Sequence, residues 1–195
     1  MQEYATTFSV KRLWTVLAVG MFVMFGVLLL MGRQIYQLAP PIPEAVTAKN
    51  GETLFTRADI ETGQNVWQSI GGMEQGSIWG HGSYLAPDWS ADWLHREAQA
   101  LLALSSSMAP TGVSPAQADA ISKAALQHEM RANTYDPASG VITVSNTRAL
   151  AIKQVQAHFV SLYVGDDAAS LDLRRSYAFP VHGRLSATEA KQLSA

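Results

Sequence analysis

One apolar run near the N-terminus constrains the fold of this chain more than any other stretch. Residues 13–32 contain no charged side chain, and a helix rising about 1.5 Å per residue would span the roughly 30 Å hydrocarbon core of a bilayer over that length. A cleaved signal peptide is the alternative. However, the apolar region of a signal peptide usually has about 7 to 15 residues and ends in small side chains, whereas residues 28–31 are bulky. The run therefore predicts one transmembrane helix.

The charges beside this run predict its orientation. Lys11 and Arg12 precede it and only Arg33 follows closely, so the positive-inside rule favours a cytoplasmic N-terminus and a periplasmic or extracellular remainder. Trp14 and Tyr36 lie where interfacial aromatic side chains are common. We expect a single-pass membrane protein.

The composition excludes several classes of function. The chain has 195 residues, 48% hydrophobic and 15% charged, which suits one span and one ordinary domain. Its lack of cysteine excludes disulfides, thiol catalysis, zinc–cysteine sites and iron–sulfur clusters. A net charge of -2 without a basic stripe gives no reason to expect a nucleic-acid partner.

The sequence divides into three segments. Residues 1–36 form the tail and the transmembrane helix, and residues 37–57 form a strap in which Pro40, Pro41 and Pro43 favour an extended path. Residues 58–195 form the domain, which we predict to be mainly α. Its predicted helices are 58–70 with Thr56 or Asp59 as cap, a helix beginning at Ser90 and ending at 105–107, 115–132, 146–164 and one beginning at Ser186.

Further predictions concern turns and faces. Residues 135–144 have Asp-Pro and Ser-Gly turn chemistry followed by alternating apolar residues, and we expect a small β hairpin there. Residues 165–167 are interpreted as a turn and 174–180 as irregular. The inward face of the helix 115–132 is expected to consist of Ala118, Ile121, Ala125 and Met130. That of the helix 146–164 is expected to consist of Ala149, Ile152, Val155, Phe159 and Leu162.

The segment 63–93 contains most of the residues from which a specific contact could be built. It holds four of the five tryptophans, Trp67, Trp79, Trp89 and Trp93, and five glycines between Gly71 and Gly82. Glycine permits positive φ and close backbone approach, and tryptophan offers a large rigid face. A cofactor cradle, a docking surface and an irregular loop over a small core are all compatible with this composition.

The spacing in this segment adds a resemblance. It reads G-x-x-V-W from Gly63 to Trp67 and G-S-I-W-G-x-G-S-Y-x-A-P-D-W-S-A-D-W-L-H-R-E from Gly76 to Glu97. This resembles the hydrophilic N-terminal region of quinol-dependent nitric oxide reductases of the haem-copper oxidase superfamily. It is also similar to the haem-binding stretch of the cytochrome c subunit of cytochrome-dependent relatives. The resemblance implies one transmembrane helix in the bacterial inner membrane and a periplasmic cytochrome c-like helical domain.

The resemblance also implies that the haem has been lost. The two haem-bonding cysteines fall on Gly72 and Gln75 and the ligating histidine on Gly76, so nothing can hold a covalent haem. Restoring cysteine at Gly72 and Gln75 and histidine at Gly76 is then expected to restore attachment. In the family, Gly82 and Tyr84 would give backbone carbonyls to an interface calcium, and we expect Trp79, His81, Trp89 and Trp93 to form an interface.

The function implied is a non-catalytic module of a nitric oxide reductase. The complete enzyme uses haem b, non-haem iron and calcium, held with a multi-span catalytic bundle that receives electrons from quinol. This chain has one span without histidine, so its partner, fused or separate, would do the chemistry. The alternative is a free-standing anchored interaction domain of another membrane complex. An independent periplasmic enzyme that uses His81 is a third and less favoured hypothesis. Because a capping box starts a helix at Ser186 close to the last residue, we expect a truncated frame, a split subunit or a processed fragment.

Overall fold

The computed structural model describes residues 9–82, 87–108, 112–177 and 185–195, and it has two compact units, Met1–Pro41 and Ile42–Ala195. In the first unit, α1 (Val10–Leu38) is 29 residues long and buries none of its side chains. It is long and apolar enough to cross a membrane by length and composition. The helix continues beyond both ends of the predicted run 13–32.

The second unit is mainly helical, as predicted. Its helices among the described residues are α2 (Arg57–Ser69), α3 (Gly72–Gln75), α4 (Trp89–Ser107), α5 (Pro115–Arg131), α6 (Asn146–Val164), α7 (Ala168–Ser176) and α8 (Ala187–Leu193). Thr56 caps α2 and Ser114 caps α5, each through a capping box, and Ser186 caps α8 in the same way. For α4 the cap is Asp88 and not Ser90.

The predicted hairpin is part of a larger sheet. Strands β5 (Tyr135–Asp136) and β6 (Val141–Val144) pair antiparallel, and β6 also pairs in parallel with β1 (Ala45–Ala48), which pairs antiparallel with β2 (Thr53–Thr56). The order is β2-β1-β6-β5. The segment predicted only as a strap therefore supplies two strands. Short strands β3 (Ser77–Ile78) and β4 (His81–Gly82) form a separate antiparallel pair.

Helix α6 runs through the core of this unit. All five side chains of its predicted inward stripe are buried. Ala149 and Ile152 belong to a cluster with Phe55 and Val144, next to the sheet. Val155, Phe159 and Leu162 belong to the larger cluster with Trp67, Trp89, Tyr163, Leu185 and Ala190. Helix α6 thus joins the sheet to the aromatic end of the unit.

A buried ion pair fixes α4 and α5 to α6. Glu97 on α4 is only 3% exposed, and Arg148 Nε donates to its Oε1 over 2.6 Å. Arg148 Nη1 also donates to the backbone carbonyl of Glu129 near the end of α5. Because a buried charge without a partner is costly, this pairing specifies the mutual position of three helices.

Two predictions about helices were wrong. On α5, Ile121 and Ala125 are exposed, and the buried residue is Ser122, which is 1% exposed. The buried face of α5 is therefore shifted from the predicted apolar residues. Arg174 and Arg175 are not irregular but helical in α7. Asp167, expected in a turn, caps that helix, and Arg174 donates to carbonyls at the end of α6.

Candidate functional site

The chain turns sharply where α2 ends. Gly71 has φ +67°, a left-handed conformation that L side chains rarely adopt, and the short helix α3 begins at the next residue. This turn brings the start of α3 back against α2. The positions that resemble haem-attachment residues therefore lie beside the last turns of α2.

Gly72 lies directly against the indole of Trp67. A Cβ atom built on Gly72 would be 2.1, 2.2 and 2.6 Å from Cδ2, Cε2 and Cε3 of Trp67. Such distances are well inside van der Waals contact, so any side chain here must displace the buried indole. Trp67 is 9% exposed and belongs to the core.

The space beside Gly76 is filled in the same way by a second tryptophan. Its built Cβ would lie 2.3 Å from Trp89 Nε1 and 2.5 Å from the carbonyl oxygen of Pro87. Because a backbone carbonyl and a buried ring both occupy the space, neither can yield cheaply. Two of the three positions that resemble haem-attachment residues thus have no room for the thiol or imidazole that a covalent haem requires.

A covalent haem does not fit this arrangement, and our expectation that cysteine and histidine would restore attachment needs correcting. A side chain at Gly72 would have to displace Trp67 from the core, and one at Gly76 would have to displace Trp89. The side chain of Gln75 lies outside the described part. Aromatic rings therefore fill the space beside Gly72 and Gly76.

The buried rings form one packed cluster. Trp89 makes edge-to-face contacts with Trp67, Phe159 and Tyr177, with ring centroids 6.1, 6.0 and 5.6 Å apart. Trp93 stacks on Phe159 at 5.3 Å and 11°. Such geometries are favourable beyond the area that they bury. Trp89 is only 7% exposed, so it is a core residue and its indole is not available to a partner, contrary to its predicted interface position. Trp93 is half-buried.

Trp79 occupies the opposite environment. It lies with Gly80 between β3 and β4, and both residues have positive φ, +53° and +72°, as a two-residue type I′ hairpin turn requires. Glycine adopts this conformation freely, but for a bulky residue it is strained. The Trp79 side chain is 72% exposed, so no burial of its ring compensates for that strain within this chain.

Asp88 holds this hairpin against the start of α4. Its Oδ2 accepts hydrogen bonds from Ser77 Oγ at 2.7 Å and from the Gly80 backbone N–H at 2.6 Å, while its Oδ1 accepts from Ala91 N–H. Ser90 Oγ accepts from the Trp79 N–H. The bond from Ser77, with those from the backbone, holds the pKa of Asp88 below its ordinary value.

Sequence analysis began α4 at Ser90 and gave Asp88 no role in a hairpin, so this contact was missed. A carboxylate has two oxygens, and capping the helix needs only one of them. The other oxygen of Asp88 could therefore accept a hydrogen bond from the preceding Gly-rich segment. That second oxygen could have been assigned to the hairpin only after β3 and β4 were known to return to the start of α4.

The remaining predicted site residues are placed only in part. His81 and Gly82 form β4, paired with Ile78 and Ser77; the side chain of His81 and the whole of Tyr84 lie outside the described residues. The calcium contribution of Gly82 and Tyr84 stays a prediction. Within the residues that the structure describes, no group of three or more histidine, cysteine, aspartate or glutamate side chains could hold a metal ion.

A cavity opens beside the aromatic cluster. It has a volume of about 230 Å³ and is bounded by α2, α4, α6, Ile78 and the residues at the end of α8. A second hollow shares part of this wall and extends along Trp79 and Leu94. Sequence analysis gave no indication of either, because both depend on how α8 packs against α2 and α6.

Comparison with known proteins agrees with this architecture. The family described as the NorB cytochrome c-like domain of nitric oxide reductase matches residues 43–195, which is nearly all of the second compact unit. No curated protein matches the chain. This chain therefore belongs to the family of NorB cytochrome c-like domains of nitric oxide reductase.

Proposed function

We propose that this chain is a non-catalytic, membrane-anchored module of a quinol-dependent nitric oxide reductase. It would lie against the periplasmic face of a multi-span protein that holds haem b and non-haem iron and reduces nitric oxide to nitrous oxide. Helix α1 would be the anchor, with its N-terminus in the cytoplasm of the bacterial cell. The partner would be fused to this chain or separate from it.

The proposal depends on one observation, that tryptophan rings fill the space in which a covalent haem would be attached. Cytochrome c-like domains pass electrons through a haem, yet Trp67 and Trp89 fill the space at Gly72 and Gly76, and the chain has no cysteine. A module that cannot hold this haem has no covalent redox centre to offer. Electrons would then reach the partner from quinol without passing through this domain.

A second observation supports an assembly role. Trp79 is exposed, strained and fixed in place by bonds from its hairpin to Asp88 and Ser90. Tryptophan is enriched among the residues that dominate protein interfaces, and a rigid side chain loses little entropy on binding. We therefore assign Trp79 as an anchor toward the partner, together with His81 and Trp93. Gly82 and Tyr84 would add carbonyl oxygens to a calcium ion at that interface.

Purification from the native membrane tests the proposal. The affinity-tagged full chain is expected to retain a multi-span protein, b-type haem absorbance in fixed proportion to the chain, and quinol-driven production of nitrous oxide. Trp79→Ala should lower the recovered haem about ten-fold or more, since interface anchors of this type contribute about 2 kcal/mol or more. The thermal transition of the domain should remain unchanged.

Met108→Ala is the matched control, because Met108 is 70% exposed and lies at the far end of α4. It should leave recovered haem unchanged. A chain that purifies without haem, or with a membrane complex that makes no nitrous oxide, would contradict the proposal and favour the alternative of a free-standing interaction domain. An equal loss from Trp79→Ala and Met108→Ala would remove Trp79 from the interface.

A further inference from the structure

Three helices of the domain meet at a polar cluster beside the aromatic rings. On α4, Arg96 Nε donates to Asp92 Oδ2 over 2.7 Å, and both side chains are partly buried. Arg96 Nη2 also donates to the hydroxyl of Tyr177, the residue that follows α7, over 3.4 Å. The charges of Arg96 and Asp92 both act on His158 of α6. The cluster therefore links α4, α6 and the end of α7.

His158 is packed in a way that suits only its uncharged form. Its Nε2 atom is buried and has no hydrogen-bond partner among the described residues, and its ring lies edge-on to that of Phe159, with the centroids 5.5 Å apart. A neutral imidazole can leave one nitrogen as an unused acceptor, whereas both nitrogens of an imidazolium are donors. A charged donor that is buried without an acceptor is costly. Protonation of His158 therefore requires the packing around it to change.

The charged neighbours of His158 determine what this change would be. Burial and the Arg96 guanidinium hold the pKa of His158 below its ordinary value, while the Asp92 carboxylate acts in the opposite direction. Asp92 is thus the anion that would attract an imidazolium, but it is already paired with Arg96. The bond from Arg96 to Tyr177 is long at 3.4 Å, so it is the weakest contact of the cluster.

The other charged groups on and around α6 have different partners or are exposed. Helices α4, α7 and α8 and strand β1 pack against α6, and β1 has no ionisable side chain. On the helices, Glu97 pairs with Arg148, His95 with Gln99, Lys153 with Glu52, Asp172 with Arg175, Arg174 with carbonyls of α6 and Glu189 with Ser186, and Lys191 is exposed. Within the described part of the chain, Arg96 and Asp92 are therefore the charges that govern His158.

We propose that His158 is a pH-sensitive switch at this junction. When it is uncharged, Arg96 stays bound to Asp92 and Tyr177. When it is protonated, the imidazolium takes Asp92, and Arg96 then releases Tyr177, so that the end of α7 loosens from α4. The proposal concerns only the domain's own residues and does not depend on the proposed function.

The direction of the pH effect follows from the lowered pKa. Below the ordinary histidine value of about 6.5, the unfolded chain binds a proton at His158 that the folded chain does not yet bind. The stabilisation from the uncharged side chain is therefore fully present above about pH 6.5. It decreases as the pH falls, and the loss is complete below the lower pKa of the folded state.

Titration of the unaltered full chain in lipid nanodiscs tests the proposal. The histidine Cε1–H and tyrosine ring resonances are followed by NMR from about pH 8 downward, until the domain unfolds. His158 should titrate with a midpoint below about 6.5, and the Tyr177 ring should shift with the same midpoint, because it loses its bond to Arg96. His158→Gln and Tyr177→Phe assign the two resonances by their disappearance.

Three variants complete the test. His158→Gln should abolish the Tyr177 shift, since an amide does not titrate. Arg96→Gln should raise the midpoint of His158, because it removes the opposing cation, and should also abolish the Tyr177 shift. Arg175→Gln, which removes the arginine of an exposed ion pair on α7, is the matched control and should leave both titrations unchanged. The proposal is overturned if His158 stays uncharged until the domain unfolds, if the two midpoints differ in the unaltered chain, or if the Tyr177 shift survives either His158→Gln or Arg96→Gln.

Discussion

Trp89 and Trp79 are ten residues apart, yet they occupy opposite environments. Trp89 is 7% exposed and contacts three aromatic rings in the core. Trp79 is 72% exposed, at the tip of a hairpin, with a backbone conformation that is strained for its side chain. Each has a glycine nearby, but the glycine acts differently in the two cases.

Beside the buried tryptophans, glycine supplies room. Gly72 and Gly76 have no space for a Cβ because Trp67 and Trp89 occupy it. Beside Trp79, glycine supplies conformation, since Gly80 has φ +72° and nothing within 4 Å of a built Cβ. The same two residue types therefore build a filled core in one region and an exposed indole on a hydrogen-bonded turn in the other.

The largest expected difference comes from removing each indole. Trp89→Ala should destabilise the domain by about 4 kcal/mol, because it leaves a cavity where three ring contacts were. Trp79→Ala should change the free energy of unfolding by less than about 0.5 kcal/mol, since an exposed side chain is lost. Urea unfolding of the full chain followed by circular dichroism measures both. Similar losses of unfolding free energy from the two variants would contradict the assignment of Trp89 to the core and of Trp79 to the surface.

The glycines give a smaller and more specific difference. Gly72→Ala should cost about 3 kcal/mol from overpacking against Trp67, although alanine would otherwise favour the helix by about 1 kcal/mol. Gly80→Ala should cost about 1 kcal/mol, from left-handed backbone strain alone. The same unfolding experiment separates them. If Gly72→Ala were no worse than Gly80→Ala, the indole of Trp67 would not be held where we describe it.

The helical part of this fold could be predicted because its signals are local. The stripe on α6 and the capping box at Ser186 each lie within a few residues, and both predictions were confirmed. Strand β1 also pairs in parallel with β6, almost a hundred residues away, and that pairing has no local signal. The pairing of β1 with β2 did have one, since Asn50-Gly51 lies between them and Asn-Gly is typical of a hairpin turn, but the prolines earlier in the segment led to its interpretation as a strap.

The candidate site was predictable only as a region. Its tryptophans and glycines were recognised, but composition could not separate Trp89, which is buried, from Trp79, which is exposed. That distinction depends on the return of the hairpin to Asp88 and on the packing of α6 against α4. In the same way, α5 was oriented wrongly, since Ser122 is buried and Ile121 is exposed.

The smallest effect concerns the attachment of the hairpin. Since its bonds from Ser77 and the backbone lower the pKa of Asp88 in the folded chain, these bonds stabilise the fold fully above the ordinary aspartate pKa of about 3.9. The stabilisation is lost as the pH falls through the lower folded value. The Gly80 amide resonance, followed by NMR at falling pH, should therefore shift below about pH 4, while global unfolding is not required.

Asp88→Asn should abolish this titration, since the amide cannot change charge, and should leave Gly80 and Trp79 less well ordered at neutral pH. Asp136→Asn is the matched control. Asp136 also accepts hydrogen bonds from a serine hydroxyl and from backbone N–H groups, and its pKa is also lowered, but it is the last residue of β5. A Gly80 shift that persists in Asp88→Asn or disappears in Asp136→Asn would mean that another group governs the hairpin. The rigid display of Trp79 would then need a different physical origin.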